Sequence, residues 1–159
     1  MAIIEDTDAP VTTRTTHRDF TPAAVAILRI GAGLLFMQHG LQKLFGILGG
    51  FGGTPGATAP LDSLMGVAGI LELVGGALLV AGLFTRPVAL ILAAEMVVAY
   101  FQAHLPQGGM PIQNGGELAL LYALVFAFLA ARGAGPVSVD ARRLHARDDA
   151  ARREHVRAA

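Results

Sequence analysis

Five ionisable side chains of this 159-residue chain stand in or at the ends of long carbon-rich stretches. They are Arg29 and Lys43 in the first, Glu72 in the second, Glu95 in the third and Glu117 at the start of the fourth. Ionisable groups in such surroundings are costly and face a partner or a cavity. Three carboxylates therefore meet two cations. If both cations pair, one carboxyl is left over, and an isolated buried carboxyl is stable as the neutral acid. Such a group relays a proton or donates a hydrogen bond to a carbonyl. His39 and His104 fall in the same stretches and add further donors and acceptors. Each residue also has a plainer role. An Arg29–Glu pair can simply fix helix register, Lys43 can snorkel to an interface, and Glu117 can cap a helix. Two isolated histidines without partner motifs do not make a haem site, and no metal site is expected. Glu72 and Glu95 resist a plain assignment, because each lies far from either end of its stretch.

The stretches that must position these groups are Pro22–Leu48, Leu64–Phe84, Pro87–Leu105 and Glu117–Ala131. Each reaches or nearly reaches the length needed to cross roughly 30 Å of hydrocarbon at ~1.5 Å per residue. Hydrophobic residues make up 53% and charged residues 15% of the chain. A soluble fold would have to bury all four helices on every side, which a chain this short cannot do. The expected fold is all-α: a membrane-spanning antiparallel four-helix bundle over 22–132, with spans at about 22–48, 64–84, 87–105 and 117–131. It is flanked by an N-terminal tail, 1–21, and an Arg-rich C-terminal tail, 133–159. The first 21 residues lack the apolar core of a secretory signal, so the first span is expected to act as an uncleaved anchor. There is no cysteine, which excludes disulfides, thiolate metal sites and dithiol redox chemistry within the chain.

Along the first span Arg29, Gly33, Phe36, Gly40 and Lys43 alternate at spacings of four and three, forming one helical stripe. The second span puts Gly69, Glu72 and Gly76 on one face and Gly75 and Gly82 on another. Small residues let membrane helices approach, so Gly33, Gly40, Gly69, Gly76 and Gly82 are the expected packing positions, and charges beside them point inward. Arginines lie in both tails (Arg14, Arg18, and Arg132 onward) and in the short second loop at Arg86, whereas the first and third loops have none. By the positive-inside rule both termini are cytoplasmic, in an inner (cell) membrane. His39, Lys43, Glu72, Glu95 and His104 then gather toward the outer half as a polar cavity, expected to be the largest pocket. Should these side chains point to separate faces, or the largest pocket open to the cytoplasm beside Arg86, the cavity reading fails and the scaffold is the better one. Thr21-Pro22, Asp62-Ser63 and Asn114…Glu117 read as helix starts, and Thr85-Arg86-Pro87 as a tight turn. The glycine-rich run Gly49–Pro60 lacks the lysine of a phosphate cradle and reads as a loop.

The runs LRIGAGLLFMQHGLQKLFG (Leu28–Gly46), GILELVGGALLVAGLFTRPVALILAAEM (Gly69–Met96), AHLP (Ala103–Pro106), GGELALLY (Gly115–Tyr122) and GAGPVSVD (Gly133–Asp140) resemble the DoxX family of small four-helix membrane proteins. The resemblance extends from about Leu28 to Asp140 and implies the same topology. Arg29, Gly33, Gly40, Lys43, Glu72, Gly75, Gly76, Gly82, His104, Glu117 and Asp140 match its recurrent positions. Members, including the related DoxD type, are linked to membrane oxidoreductase assemblies, among them a thiosulfate:quinone oxidoreductase and complexes with oxidative-stress enzymes. The implied function is a membrane subunit of a redox assembly, with a quinone or small-molecule pocket in the outer half. The rivals are a non-catalytic scaffold or assembly factor and a small-solute or proton transporter. Expected partners are the lipid bilayer and either further copies of the chain or a redox protein, not nucleic acid.

Overall fold

In a computed structural model of the chain, residues 20–158 are described, and every regular element among them is helical. The N-terminal tail, with Arg14 and Arg18, lies outside the described residues up to residue 19. Helix α1 is Thr21–Phe45, α2 Leu64–Ala81, α3 Thr85–Gln107, α4 the short Pro111–Asn114, α5 Glu117–Arg132 and α6 Val139–Ala158. Three of these, α1, α2 and α3, are long and apolar enough to cross a membrane, whereas α5 has 16 residues. Their outward faces suit lipid: Ile27, Leu90 and Leu124 are 72%, 64% and 70% exposed, a coat that water would not tolerate over so large an area.

Local chemistry sets the ends. Pro22 sits in the first turn of α1, where its missing N–H costs nothing, but Thr21 is already helical rather than a cap. At the far end Gly46 takes φ 65° and returns its N–H to the Gln42 carbonyl. The Ser63 hydroxyl accepts from the Gly66 N–H at 3.1 Å, capping α2. The turn between α2 and α3 lies at Gly82–Phe84, earlier than the expected Thr85-Arg86-Pro87, because Gly82 (φ 67°) and Phe84 (φ 51°) reverse the chain and Pro87 fits the first turn of α3. No capping box forms at Glu117. Asn114 Oδ1 instead accepts from the Gly116 N–H at 2.8 Å, and Gly116 itself precedes the helix without a side-chain cap.

Helix α1 packs on α2, and α3 on α5, each pair running in opposite directions. A Cβ at Gly40 would lie 2.6 Å from the Gly69 carbonyl oxygen, and one at Gly33 2.8 Å from that of Gly76. The backbones of α1 and α2 thus touch where side chains are absent. Between the pairs lies one core of Phe36, Leu79, Leu92, Phe126 and Leu129, each at most 1% exposed. Phe36 meets Phe126 edge-on at 4.8 Å between ring centroids. Two π-helical turns interrupt the regular ladder, Leu71–Gly75 in α2 and Tyr100–His104 in α3. Nothing in the apolar periodicity announces them.

Candidate functional site

Close approach at Gly40 brings the next turn of α1 against α2. There Lys43 Nζ donates to both oxygens of the Glu72 carboxylate, at 2.6 and 2.7 Å. The side chains are 17% and 4% exposed, so the pair is largely withdrawn from its surroundings. Glu72 belongs to the first π turn and His104 to the second; such turns recur at functional sites because they re-aim side chains. His104 is fixed through Nδ1, 3.1 Å from the Asn114 carbonyl oxygen. A carbonyl only accepts, so Nδ1 carries the proton and Nε2 remains available. Asn114 is held in turn by its amide donating to the Gly108 carbonyl at 2.7 Å. His39 lies edge-on to Tyr122 at 6.2 Å.

All of these side chains but Asn114 line one cavity of about 310 Å³, whose polar wall comprises His39, Lys43, Glu72, Glu95, Gln102, His104 and Tyr122. Phe36, Met96 and Ala119 supply apolar wall, and exposed Leu64, Val98 and Leu118 stand among its lining. Both oxygens of Glu95 are buried and have no hydrogen-bond partner among the described residues. The pairing is therefore simpler than the inventory of charges suggests: Lys43 takes Glu72, and Glu95 is left over. No group of three or more His, Asp or Glu residues poised to hold a metal occurs among the described residues.

Arg29 and Glu117, the other two candidates for a ligand pocket or buried polar cluster, stand elsewhere. Glu117 is exposed in the first turn of α5 and is not part of the cavity lining. Arg29 is 1% exposed at the opposite end of the helices and forms no ion pair with a carboxylate among the described residues. Its guanidinium donates to the carbonyls of Leu79 and Val80 (2.8 Å to the latter), Ala134 (3.1 Å) and Val137 (2.6 Å). It satisfies the frayed end of α2 and ties the 133–138 linker to it. Asp140 completes that tie, its two carboxylate oxygens each accepting at 2.9 Å from the N–H groups of Phe84 and Thr85 at the start of α3.

A larger hollow is at this second end, contrary to expectation. About 790 Å³ in volume, it lies between α6 and the α2–α3 turn, beside Arg86. The cause is α6 itself, which the Asp140 tie holds across the ends of α3 and α5.

Residues 24–105 match the family model of DoxX. An uncharacterized protein of Haemophilus influenzae is 43% identical over 124 residues, covering 76% of this chain and 91% of the relative. The chain belongs to the DoxX family. A second uncharacterized Haemophilus influenzae protein is 36% identical over 81 residues, 51% of this chain and 54% of its own length. No solved structure matches. This DoxX protein is thus a membrane protein of apolar helices. The matched segment contains Lys43, Glu72, Glu95 and His104, but not Tyr122, Asn114 or Asp140. From the sequence Asp140 stands only as a recurrent position and Asn114 only as a helix start, and Tyr122 is assigned no role. The phenol of Tyr122 within an otherwise apolar helix is the one signal that marks it as a wall residue.

Proposed function

We propose that this DoxX protein is the membrane subunit of a redox assembly and that its cavity takes a small carbonyl-bearing molecule of the quinone class. The observation that supports this reading is the buried Glu95 carboxyl, without a hydrogen-bond partner among the described residues, in the wall of a cavity that also contains a Lys–Glu pair and two histidines. A cavity of about 310 Å³ is at the small end of ligand sites and suits one ring headgroup. A neutral Glu95 donates a hydrogen bond to a carbonyl oxygen, which is the partner the site lacks. Lys43 and His39 offer further donors, while His104, with Nδ1 committed to Asn114, offers Nε2 for a proton. A quinone, when bound, supplies the two-electron chemistry, and the electrons come from a partner protein. The chain's own residues bind and orient the ring, exclude water through Phe36 and Met96, and hold the proton at Glu95. Exposed Leu64, Val98 and Leu118 around the lining suit lateral entry from the lipid.

The same reading includes the arrangement in the membrane: an antiparallel four-helix bundle completed by α5, in the inner membrane, with both termini cytoplasmic. Its support is the arginine asymmetry between alternate loops. A scaffold is the second reading, and the larger hollow beside Arg86 favours it by size; the cavity reading leads because His39, Lys43, Glu72, Glu95 and His104 line one cavity rather than separate faces. Purification in mild detergent, followed by mass spectrometry of extracted small molecules, separates the two. Bound quinone in the parent protein, reduced roughly tenfold in Glu95→Leu by loss of a buried hydrogen bond, supports the ligand site. A partner protein recovered without quinone, unaffected by Glu95→Leu, supports the scaffold.

A further inference from the structure

The hollow between α6 and the α2–α3 turn is lined by Arg86, Arg132, Arg143 and Arg147. None of the four has a carboxylate partner among the described residues. Asp140 also lines it, each of its oxygens already accepting one N–H, from Phe84 and from Thr85, so four cations face a single carboxylate there. We propose that this hollow holds the phosphate headgroup of an anionic phospholipid, whose acyl chains run down the seam between α3 and α5.

Four observations carry the assignment. Arg86 is the second residue of α3 and Arg132 the last of α5, so both stand where the apolar helices stop, at the level of lipid headgroups. They stand close together, since a Cβ on Gly133 would lie 3.1 Å from Arg86 Nε. One turn inward on the same helix faces come Leu90 and Phe128, 64% and 46% exposed, which give a two-chain lipid an apolar track directly below the cations. Finally, Thr85 is fully buried in the wall of the hollow, and its hydroxyl has no hydrogen-bond partner among the described residues. A phosphate oxygen accepts from such a hydroxyl and from guanidinium forks together. Arg143 and Arg147, one turn apart on α6, close the site from above, with the Arg143 guanidinium 5.3 Å over the Phe84 ring. Free phosphate would use the same cations but leave the Leu90–Phe128 track without purpose. The site is separate from the Glu95 cavity and does not depend on what that cavity binds.

The test uses the full chain in nanodiscs of phosphatidylcholine with a minor fraction of phosphatidylglycerol, extracted and examined by native mass spectrometry for retained lipid. The parent protein should retain phosphatidylglycerol selectively. R86Q/R132Q and R143Q/R147Q should each bind it roughly 30-fold more weakly, as two lost surface arginines imply. The second pair lies on an exposed helix, so its effect stands even if the first pair impairs folding. R152Q/R153Q, further along α6 and outside the hollow, should retain lipid as the parent does. Equal loss in R152Q/R153Q would show diffuse charge attraction and overturn the site. Unchanged retention in R143Q/R147Q would do the same. Displacement of the lipid by inorganic phosphate that itself binds in pure phosphatidylcholine would reassign the hollow to a free anion.

Discussion

At the scale of single residues, four intramembrane ionisable groups have three different fates. Lys43 and Glu72 neutralise each other, Arg29 is consumed by backbone carbonyls, and Glu95 has no protein partner among the described residues. The consequences differ accordingly. Glu72→Leu leaves Lys43 beside an apolar wall and should destabilise the protein by about 3–5 kcal/mol, whereas the double change Lys43→Met with Glu72→Leu should recover most of that loss. Thermal unfolding in detergent measures both, and a single variant as stable as the parent would refute the pairing. Arg29→Lys should behave almost as badly as Arg29→Met, at about 3 kcal/mol or more, because one ammonium cannot span four carbonyls on two segments. Full rescue by lysine would show that charge alone matters there. The presence of these ionisable groups was legible in the sequence, since charge in a carbon-rich stretch is conspicuous. Their partners were not, because carbonyls leave no mark in sequence: Arg29 was expected to seek a carboxylate and found the end of α2 instead.

Among the elements, the α1–α2 contact was the most legible. Gly33, Gly40, Gly69 and Gly76 recur at helical spacing, and each stands where an added Cβ would strike the neighbouring helix. Gly40→Ala should push the helices apart and cost about 1–3 kcal/mol by overpacking, read as a lowered unfolding midpoint and loss of the Lys43–Glu72 pair. Gly31→Ala, where an added Cβ meets nothing within 4 Å, is the matched control that should be neutral. The helix starts were less legible. Pro22 and Ser63 serve as their types suggest, yet α3 is capped by Asp140, 55 residues away from Thr85 in the chain. Only the fold brings that carboxylate to the helix, so no local pattern reveals it. Asp140→Ala should cost about 1 kcal/mol as a lost cap and free α6, seen as faster amide exchange at Phe84 and Thr85. Exchange unchanged at both amides would count against the cap. The π turns at Glu72 and His104 were invisible for a related reason: one extra residue in a turn changes which way a side chain points without changing composition.

At the scale of the whole molecule, two ends with different chemistry are joined by one apolar core. One end holds the cavity with Glu95, and the other holds the arginine-lined hollow under α6. Reporter fusions after Ala159 and within Gly49–Gly56 should give opposite sidedness if the arginine-rich end is cytoplasmic, and matching signals would contradict that orientation. The central claim is that Glu95 is a neutral acid waiting for a carbonyl. Infrared difference spectroscopy of the protein in lipid, with and without a soluble quinone analogue, reads that hydrogen bond directly. The protonated-carboxyl band should shift when the analogue is added and be absent from the difference spectrum of Glu95→Gln. A parent spectrum with no carboxyl change on saturating analogue, or the same change persisting in Glu95→Gln, would contradict it.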